Sequence, residues 1–467
     1  MPHRTASLTH PLLLLAALTS CSSSSDKALH LDITTGQETD TFSMDPPVTR
    51  ITISAKSPDG STAIIATTTP GGTFDLGDVV ETESVGFEVA GYDAFGHLVA
   101  RGRSLGAISL VTVGTDSTVP VFVQRIGQWA RPNGGLTRAH VNGPAGALGE
   151  QYVWQTGGKA YDMSGEVDAK DSDFYDFFGL RGATGPTLDR APKTLVSLGS
   201  AAFVFDDEGG TSLDFAGQTK ADLIVPKGID SFAEIAGGIP VFGDDGTTFV
   251  VGATRTTGEA TKSVLIVASD GTLTATSLHT ARLGAAAAFV ASLGLMVAGG
   301  SSEGAGVELL PSQTTTFVAA DYPADAVTGA AAVIDPRDSM KLKMLLVGGS
   351  DGGKPAATRV VDMGCSKACA AVEIPGMALP VTFDHGAGYV LNDTQVIVVG
   401  DEVSQDGPGQ TRPFVLDLGA MSVTETPLRE PRKGASPIPT PLGTLAILGG
   451  QHLDGSPAFS VESYFPP

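Results

Sequence analysis

Residues 295–300 read Leu295-Met296-Val297-Ala298-Gly299-Gly300, four apolar residues running into a glycine pair. A short apolar run bounded by a turn signal is the pattern of a strand buried on both faces. The same element returns at Leu345-Leu346-Val347-Gly348-Gly349, at Val396-Ile397-Val398-Val399-Gly400 and at Leu445-Ala446-Ile447-Leu448-Gly449-Gly450. Upstream it stands at Phe249-Val250-Val251-Gly252 and at Tyr152-Val153-Trp154-Gln155-Thr156-Gly157-Gly158. From Gly252 onward the glycines step by 48, 49, 51 and 50 residues, and the gap from Gly158 to Gly252 is 94, twice 47. A degenerate copy is therefore due near residue 205, where Ala201-Ala202-Phe203-Val204-Phe205-Asp206 stands. That makes seven copies, and a fixed period of this length marks an array of like supersecondary units.

A period near 50 with a strand ending in Gly-Gly resembles the kelch-type β-propeller repeat. Ahead of the glycine strand lies a small-residue strand, as in Gly284-Ala285-Ala286-Ala287-Ala288 and Gly329-Ala330-Ala331-Ala332-Val333. Beyond the glycines comes a third strand, Gly306-Val307-Glu308-Leu309-Leu310-Pro311 or Ser460-Val461-Glu462-Ser463-Tyr464-Phe465-Pro466. Small residues suit crowded strands near the axis, and glycine permits the tight turns between strands. The last repeat lacks an outer strand, while Phe122-Val123-Gln124-Arg125-Ile126-Gly127-Gln128-Trp129 resembles the tryptophan-bearing fourth strand of a kelch blade. Pairing the two would close the ring and leave no exposed edge. The copies depart from the family in lacking most of its Trp and Tyr residues, Trp129 and Trp154 being the only tryptophans.

The rest of the chain divides around this array. Residues 29–121 carry short alternating strands, such as Val48 to Ala55 and Val85 to Tyr92, with turn signals at Ser57-Pro58-Asp59-Gly60 and Asp93-Ala94-Phe95-Gly96. That density of strands suggests an immunoglobulin-like β-sandwich. The expected fold is thus all-β, an N-terminal β-sandwich at 29–121 followed by a seven-bladed kelch-like β-propeller at 122–467. Glycine is abundant, 59 of 467 residues, and charged residues make up only 17%, a composition suited to strands and tight turns. The net charge of −22 repels nucleic acid and anionic headgroups.

At the N-terminus, Arg4 precedes the apolar run Pro11 to Leu18, followed by Thr19-Ser20-Cys21 and four serines. Eight apolar residues fall far short of the roughly 20 needed to span a bilayer, and the layout is that of a cleavable export signal. Leu18-Thr19-Ser20-Cys21 resembles the lipobox of bacterial lipoproteins. The resemblance implies a signal peptide at 1–20, lipidation of Cys21, a serine-rich tether at 21–28, and anchoring to a lipid bilayer. Ser22 resembles the sorting pattern for the outer membrane. Leu283 to Gly300 holds eighteen uncharged residues, but its Ala and Gly content and its phase with the repeat predict two strands joined by a turn. Of the other two cysteines, an exported Cys365 and Cys369 are expected to form a disulfide at the end of a hairpin.

Few residues point to chemistry. Propeller enzymes similar to galactose oxidase would need a Cys beside a reactive Tyr, with a second Tyr and two His for copper; among His140, His279, His385 and His452 no such pattern is evident. No GxSxG elbow occurs. His385 stands near the start of a first strand, comparable to Arg282 and Arg432, where kelch-like repeats often carry a His or Arg that packs structurally. Acidic clusters fall at Asp206-Asp207-Glu208, at Asp244-Asp245, and at Asp168, Asp171, Asp173 and Asp176. The last is the candidate calcium loop, since calcium takes six to eight oxygens; no other cofactor is expected. The function expected is that of an exported, membrane-anchored, non-catalytic propeller binding protein or glycan ligands at the cell envelope. The rival readings are a propeller-based enzyme acting on carbohydrate or peptide, and a passive structural envelope protein.

Overall fold

The computed structural model describes residues 30–57, 61–72, 84–105, 108–109, 118–162, 165–404 and 407–467. Cys21, the leader and the serine tether lie outside the described residues. The chain is a β-propeller preceded by a smaller all-β region. Among the described residues seven four-stranded antiparallel sheets follow one another along the chain. Sheet four shows the plan: strands Ala286–Val290, Gly294–Ala298, Val307–Pro311 and Val318–Ala319 pair in sequence order. The eighteen uncharged residues at 283–300 are thus two strands and a turn, as expected. The innermost strands of the other sheets are Ala145–Leu148 (one), Thr194–Leu198 (two), Ile239–Phe242 (three), Ala331–Ile334 (five), Phe383–Val390 (six) and Ser436–Pro439 (seven). The degenerate copy, Ala201–Phe205, is the second strand of sheet two.

The second strands read as continuous apolar runs because each is covered on both faces by neighbouring sheets. Leu295, Met296, Val297 and Ala298 are all at most 1% exposed. Leu295 and Val297 point into the core shared with sheet three, Met296 and Ala298 into that shared with sheet five. Seven such inter-sheet cores exist among the described residues, and the seventh joins sheet seven to sheet one through Ile438, Ala446 and Leu448 against Val153, Tyr175 and Phe177. The ring therefore closes. Its last strand comes from upstream, where Trp129–Ala130 pairs with Glu462–Tyr464. Trp129 is 1% exposed and packs on Tyr464 with ring centroids 5.2 Å apart. The glycine pairs make turns open only to residues without a side chain. Gly299 and Gly300 sit at φ 77° and 73°, and a Cβ on Gly300 would lie 2.7 Å from the Leu283 carbonyl oxygen.

The N-terminal strands pair in the order His30–Thr34, Thr118–Arg125, Leu98–Arg103, Ser84–Tyr92, Arg50–Lys56, Thr62–Thr68. This is one continuous hydrogen-bonded path among the described residues, where the sandwich reading expected two sheets. The expected boundary at 121/122 also shifts. Residues 118–125 form a single strand paired with Leu98–Arg103, and the chain joins the propeller just after it, where Gly127 N–H donates to the Phe465 carbonyl and Trp129–Ala130 pairs with Glu462–Tyr464. The apolar run Val119 to Val123 serves the N-terminal core, with Val119, Val121 and Val123 fully buried there.

A polar hub recurs at fixed register. In sheet four, Arg282 lies 17 residues before Gly299 and donates to its carbonyl at 2.7 Å and to Glu308 at 3.0 Å. Glu308, which faces Val297 across the strands, also accepts the backbone N–H groups of His279 and Thr280. Sheet seven repeats this with Arg432, Gly449 and Glu462, the carboxylate taking the N–H groups of Arg429 and Glu430. All four side chains are fully buried. In sheet six the same two positions hold Phe383 and Phe414, with ring centroids 6.0 Å apart. In sheet five Arg359 stands at the carboxylate's register and pairs with Asp325 of the preceding linker at 2.7 Å. Arg282 and Arg432 thus pack structurally, as expected. His385 does not share their place, which belongs to Phe383.

Candidate functional site

The glycine turns and the linkers between sheets all lie at one end of the sheets, because each second strand runs back toward the start of the first. Backbone bonds knit the linkers around the mouth of the central channel: Gly284 N–H donates to Arg255, and Gly329 N–H donates to Gly284. Gly329 is so close to the start of sheet six that a Cβ there would lie 2.5 Å from the Asp384 carbonyl. Sheet three replaces the glycine pair with a 3-10 turn, Gly252–Thr254, that carries Thr256 toward sheet six. Thr256 Oγ1 lies 2.8 Å from His385 Nε2, joining residues 129 apart in sequence.

His385 Nδ1 stands 3.4 Å from Asp384 Oδ2, and both side chains are nearly half exposed. The hydrogen bond from His385 holds the Asp384 carboxyl below its usual range, against the cost of burial. Asp401, directly after Gly400, accepts from Thr411 Oγ1 and from the Gly434 N–H at 3.3 Å. Burial pushes its pKa up to about 6, with Asp384 repelling and His385 attracting its charge. A carboxyl shifted toward neutral pH under the influence of an imidazole is a functional-site signature. The arrangement is Thr–His–Asp in composition but is poorly set for activating a nucleophile. An oxygen on the Nε2 lone-pair axis lies on the far side of the ring from Nδ1, whereas Thr256 Oγ1 is within 3.4 Å of Nδ1 as well.

The four acidic residues of the calcium expectation go to separate partners. Asp168, at the end of strand Gly165–Asp168, pairs with Lys159 at 2.8 Å. Asp171 bonds Arg138, and Asp173 is fully buried and accepts from Thr137 and the Arg138 N–H. Asp176 accepts from Gln151 and the Phe178 N–H, both at 2.9 Å. No group of three His, Cys, Asp or Glu residues able to hold a metal ion forms among the described residues. The other acidic clusters are also dispersed: Asp206 pairs with Arg190 and Asp207 with Lys193, while Asp244 and Asp245 line a shallow cleft with Phe249 and Phe289.

Cys365 and Cys369 form the expected disulfide, with Cα atoms 5.9 Å apart, in the hairpin between Arg359–Asp362 and Val372–Glu373. The stapled loop bonds back to sheet four, Cys369 N–H to the Asp321 carbonyl and Ala368 N–H to its carboxylate. Among the described residues no helix is long and apolar enough to cross a membrane.

No family model matches the chain, and no curated protein matches it in sequence. Among solved structures it is similar to the Neurospora crassa Pan2 WD40 domain, at 13% identity and a TM-score of 0.43, over 73% of this chain and 98% of that one. It is also similar to the AfRom2 CNH domain, at 8% identity and a TM-score of 0.43, over 70% of this chain and 94% of that one.

Proposed function

We propose that this chain is a non-catalytic binding propeller, exported and held on a bacterial membrane by acylated Cys21, with the outer membrane as its site. It takes protein or glycan ligands on its glycine-turn face. The observation that carries the reading is the channel mouth, where Thr256, Asp384 and His385 gather half-exposed polar chemistry beside Asp401, whose pKa is raised by burial. The N-terminal region supports it, because its apolar anchorage is at the other end of the ring. Leu105 packs with Leu442, Phe178 packs into the N-terminal core, and Arg101 and Arg103 lie over the Phe465 ring. Among the described residues, none of the mouth's hydrogen bonds goes to that region. A rigid ring presents its loops for recognition.

An enzyme acting on carbohydrate or peptide is the alternative, and the contact between His385 and Asp384 is what favours it. The off-axis position of Thr256 Oγ1 weighs against it. The test is capture of ligand from envelope and secreted extract by the mature chain, with the recovered protein or glycan examined for turnover. Intact ligand held at fixed stoichiometry supports binding, and cleavage or modification supports the enzyme. Labelling with an alkyne fatty acid, lost in Cys21→Ala, checks the anchor.

A further inference from the structure

Sheet one carries the same hub as sheets four and seven, but without its cation. Asp173 faces Gln155, two residues before Gly157, the register at which Glu308 and Glu462 stand in their sheets. It accepts the N–H groups of Thr137 and Arg138, as those glutamates accept theirs from His279 and Thr280 or Arg429 and Glu430. The basic residue 17 positions before the glycine is here His140, whose Nδ1 is 2.8 Å from the Gly157 carbonyl oxygen. A carbonyl only accepts, so Nδ1 carries the proton and Nε2 presents a lone pair. His140 is fully buried, and its Nε2 has no hydrogen-bond partner. Facing it at 4.0 Å is Asp171 Oδ1, also buried and also without a partner, while Arg138 engages the other oxygen of that carboxylate.

Two acceptor atoms confront each other across 4.0 Å in a hub that holds a guanidinium in sheets four and seven. We propose that sheet one binds a divalent metal ion of the zinc class between His140 Nε2 and Asp171 Oδ1, where arginine supplies the positive charge in sheets four and seven. A tetrahedral ion with Zn–N and Zn–O bonds of about 2.0–2.2 Å sets its donors about 3.4 Å apart, so the two side chains must close the 4.0 Å gap by a small turn when the ion enters. Imidazole with carboxylate suits zinc, copper or nickel, whereas calcium takes oxygen alone. The bond from Nδ1–H to a backbone carbonyl is the usual second-shell support of a metal-binding histidine, fixing tautomer and ring. Burial acts in the same direction, lowering the His140 pKa so that the ring is neutral and free to ligate. The Asp171 side chain is 21% exposed, which gives water a route to complete the coordination.

The test is titration of the mature full-length chain with Zn²⁺ by calorimetry, together with the absorption spectrum of bound Co²⁺. The expected result is one ion per chain and a thermal midpoint that rises with added zinc. His140→Arg is the decisive variant, because it rebuilds the hub of sheets four and seven and so keeps the fold. It should weaken binding at this site by about tenfold or more, and Asp171→Asn should weaken it as well. Equal uptake by wild type and His140→Arg would mean surface histidines alone are responsible and would overturn the proposal. So would the absence of uptake by the wild type with a His140 ring that simply titrates against Asp171.

Discussion

Glu308 and Arg282 are both fully buried and hydrogen-bonded to each other, so removing one strands the other's charge. Glu308→Ala is expected to cost about 3–5 kcal/mol, read as a fall in the denaturation midpoint. The Phe383–Phe414 pair at the equivalent positions of sheet six shows that this fold accepts an apolar hub. Combining Arg282→Met with Glu308→Leu should therefore recover much of that loss. Asp401 gives a pH-dependent prediction. Its folded pKa, about 6, lies above the reference value of 3.8, so the folded state binds the proton more tightly. The resulting penalty is absent below about pH 4 and grows as pH rises through 6. Asp401→Asn is expected to stabilise the protein by about 1–2 kcal/mol at pH 7 and to leave it unchanged near pH 3.5, measured by denaturant unfolding at the two pH values. At this scale the sequence was partly legible. Arg282 and Arg432 are correctly placed by their repeat, but His385 is two residues past the equivalent position. Counting from the strand start misleads there, while counting back from the glycine turn gives Phe383.

The repeated element, an apolar strand ending in glycine, is what made the array readable, because burial on both faces and a turn at positive φ each leave a mark in composition. Sheet three hides its turn, since Gly252–Thr254 replaces the glycine pair with a 3-10 segment, and that segment is the one that builds the channel mouth. The acidic loop at 168–176 misleads for a related reason. Side chains alternate along a strand, so Asp173 enters the hub while Asp176 meets Gln151, and Asp168 belongs to a separate hairpin with Lys159. Neighbours in sequence are thus sent to different partners. The disulfide element is more direct. Replacing Cys365 and Cys369 by serine opens a closed loop of five residues and should cost about 2 kcal/mol, with faster amide exchange at Ala368 and Cys369 as the local readout.

For the whole molecule, closure depends on a strand of two residues supplied from before the first sheet. Trp129→Ala removes a fully enclosed side chain between sheets six and seven and should cost about 3–5 kcal/mol, visible as a lowered thermal midpoint. That the ends of the array meet was legible from the missing outer strand. That Thr118–Arg125 stays with the N-terminal sheet was not, because a buried strand at either site reads as the same apolar run. Recognition at the face carrying Thr256, Asp384, His385 and Asp401 is open to a direct test. The most direct measurement is the affinity of captured ligand for three chains: wild type, His385→Ala, and Met340→Asp. Met340 is 69% exposed on a turn at the opposite end of sheet five. His385→Ala is expected to weaken binding by about tenfold or more, on the scale of losing one well-placed polar contact, while Met340→Asp is expected to bind like wild type. Unchanged affinity in His385→Ala with loss in Met340→Asp would contradict recognition at this face and move it to the other end of the ring.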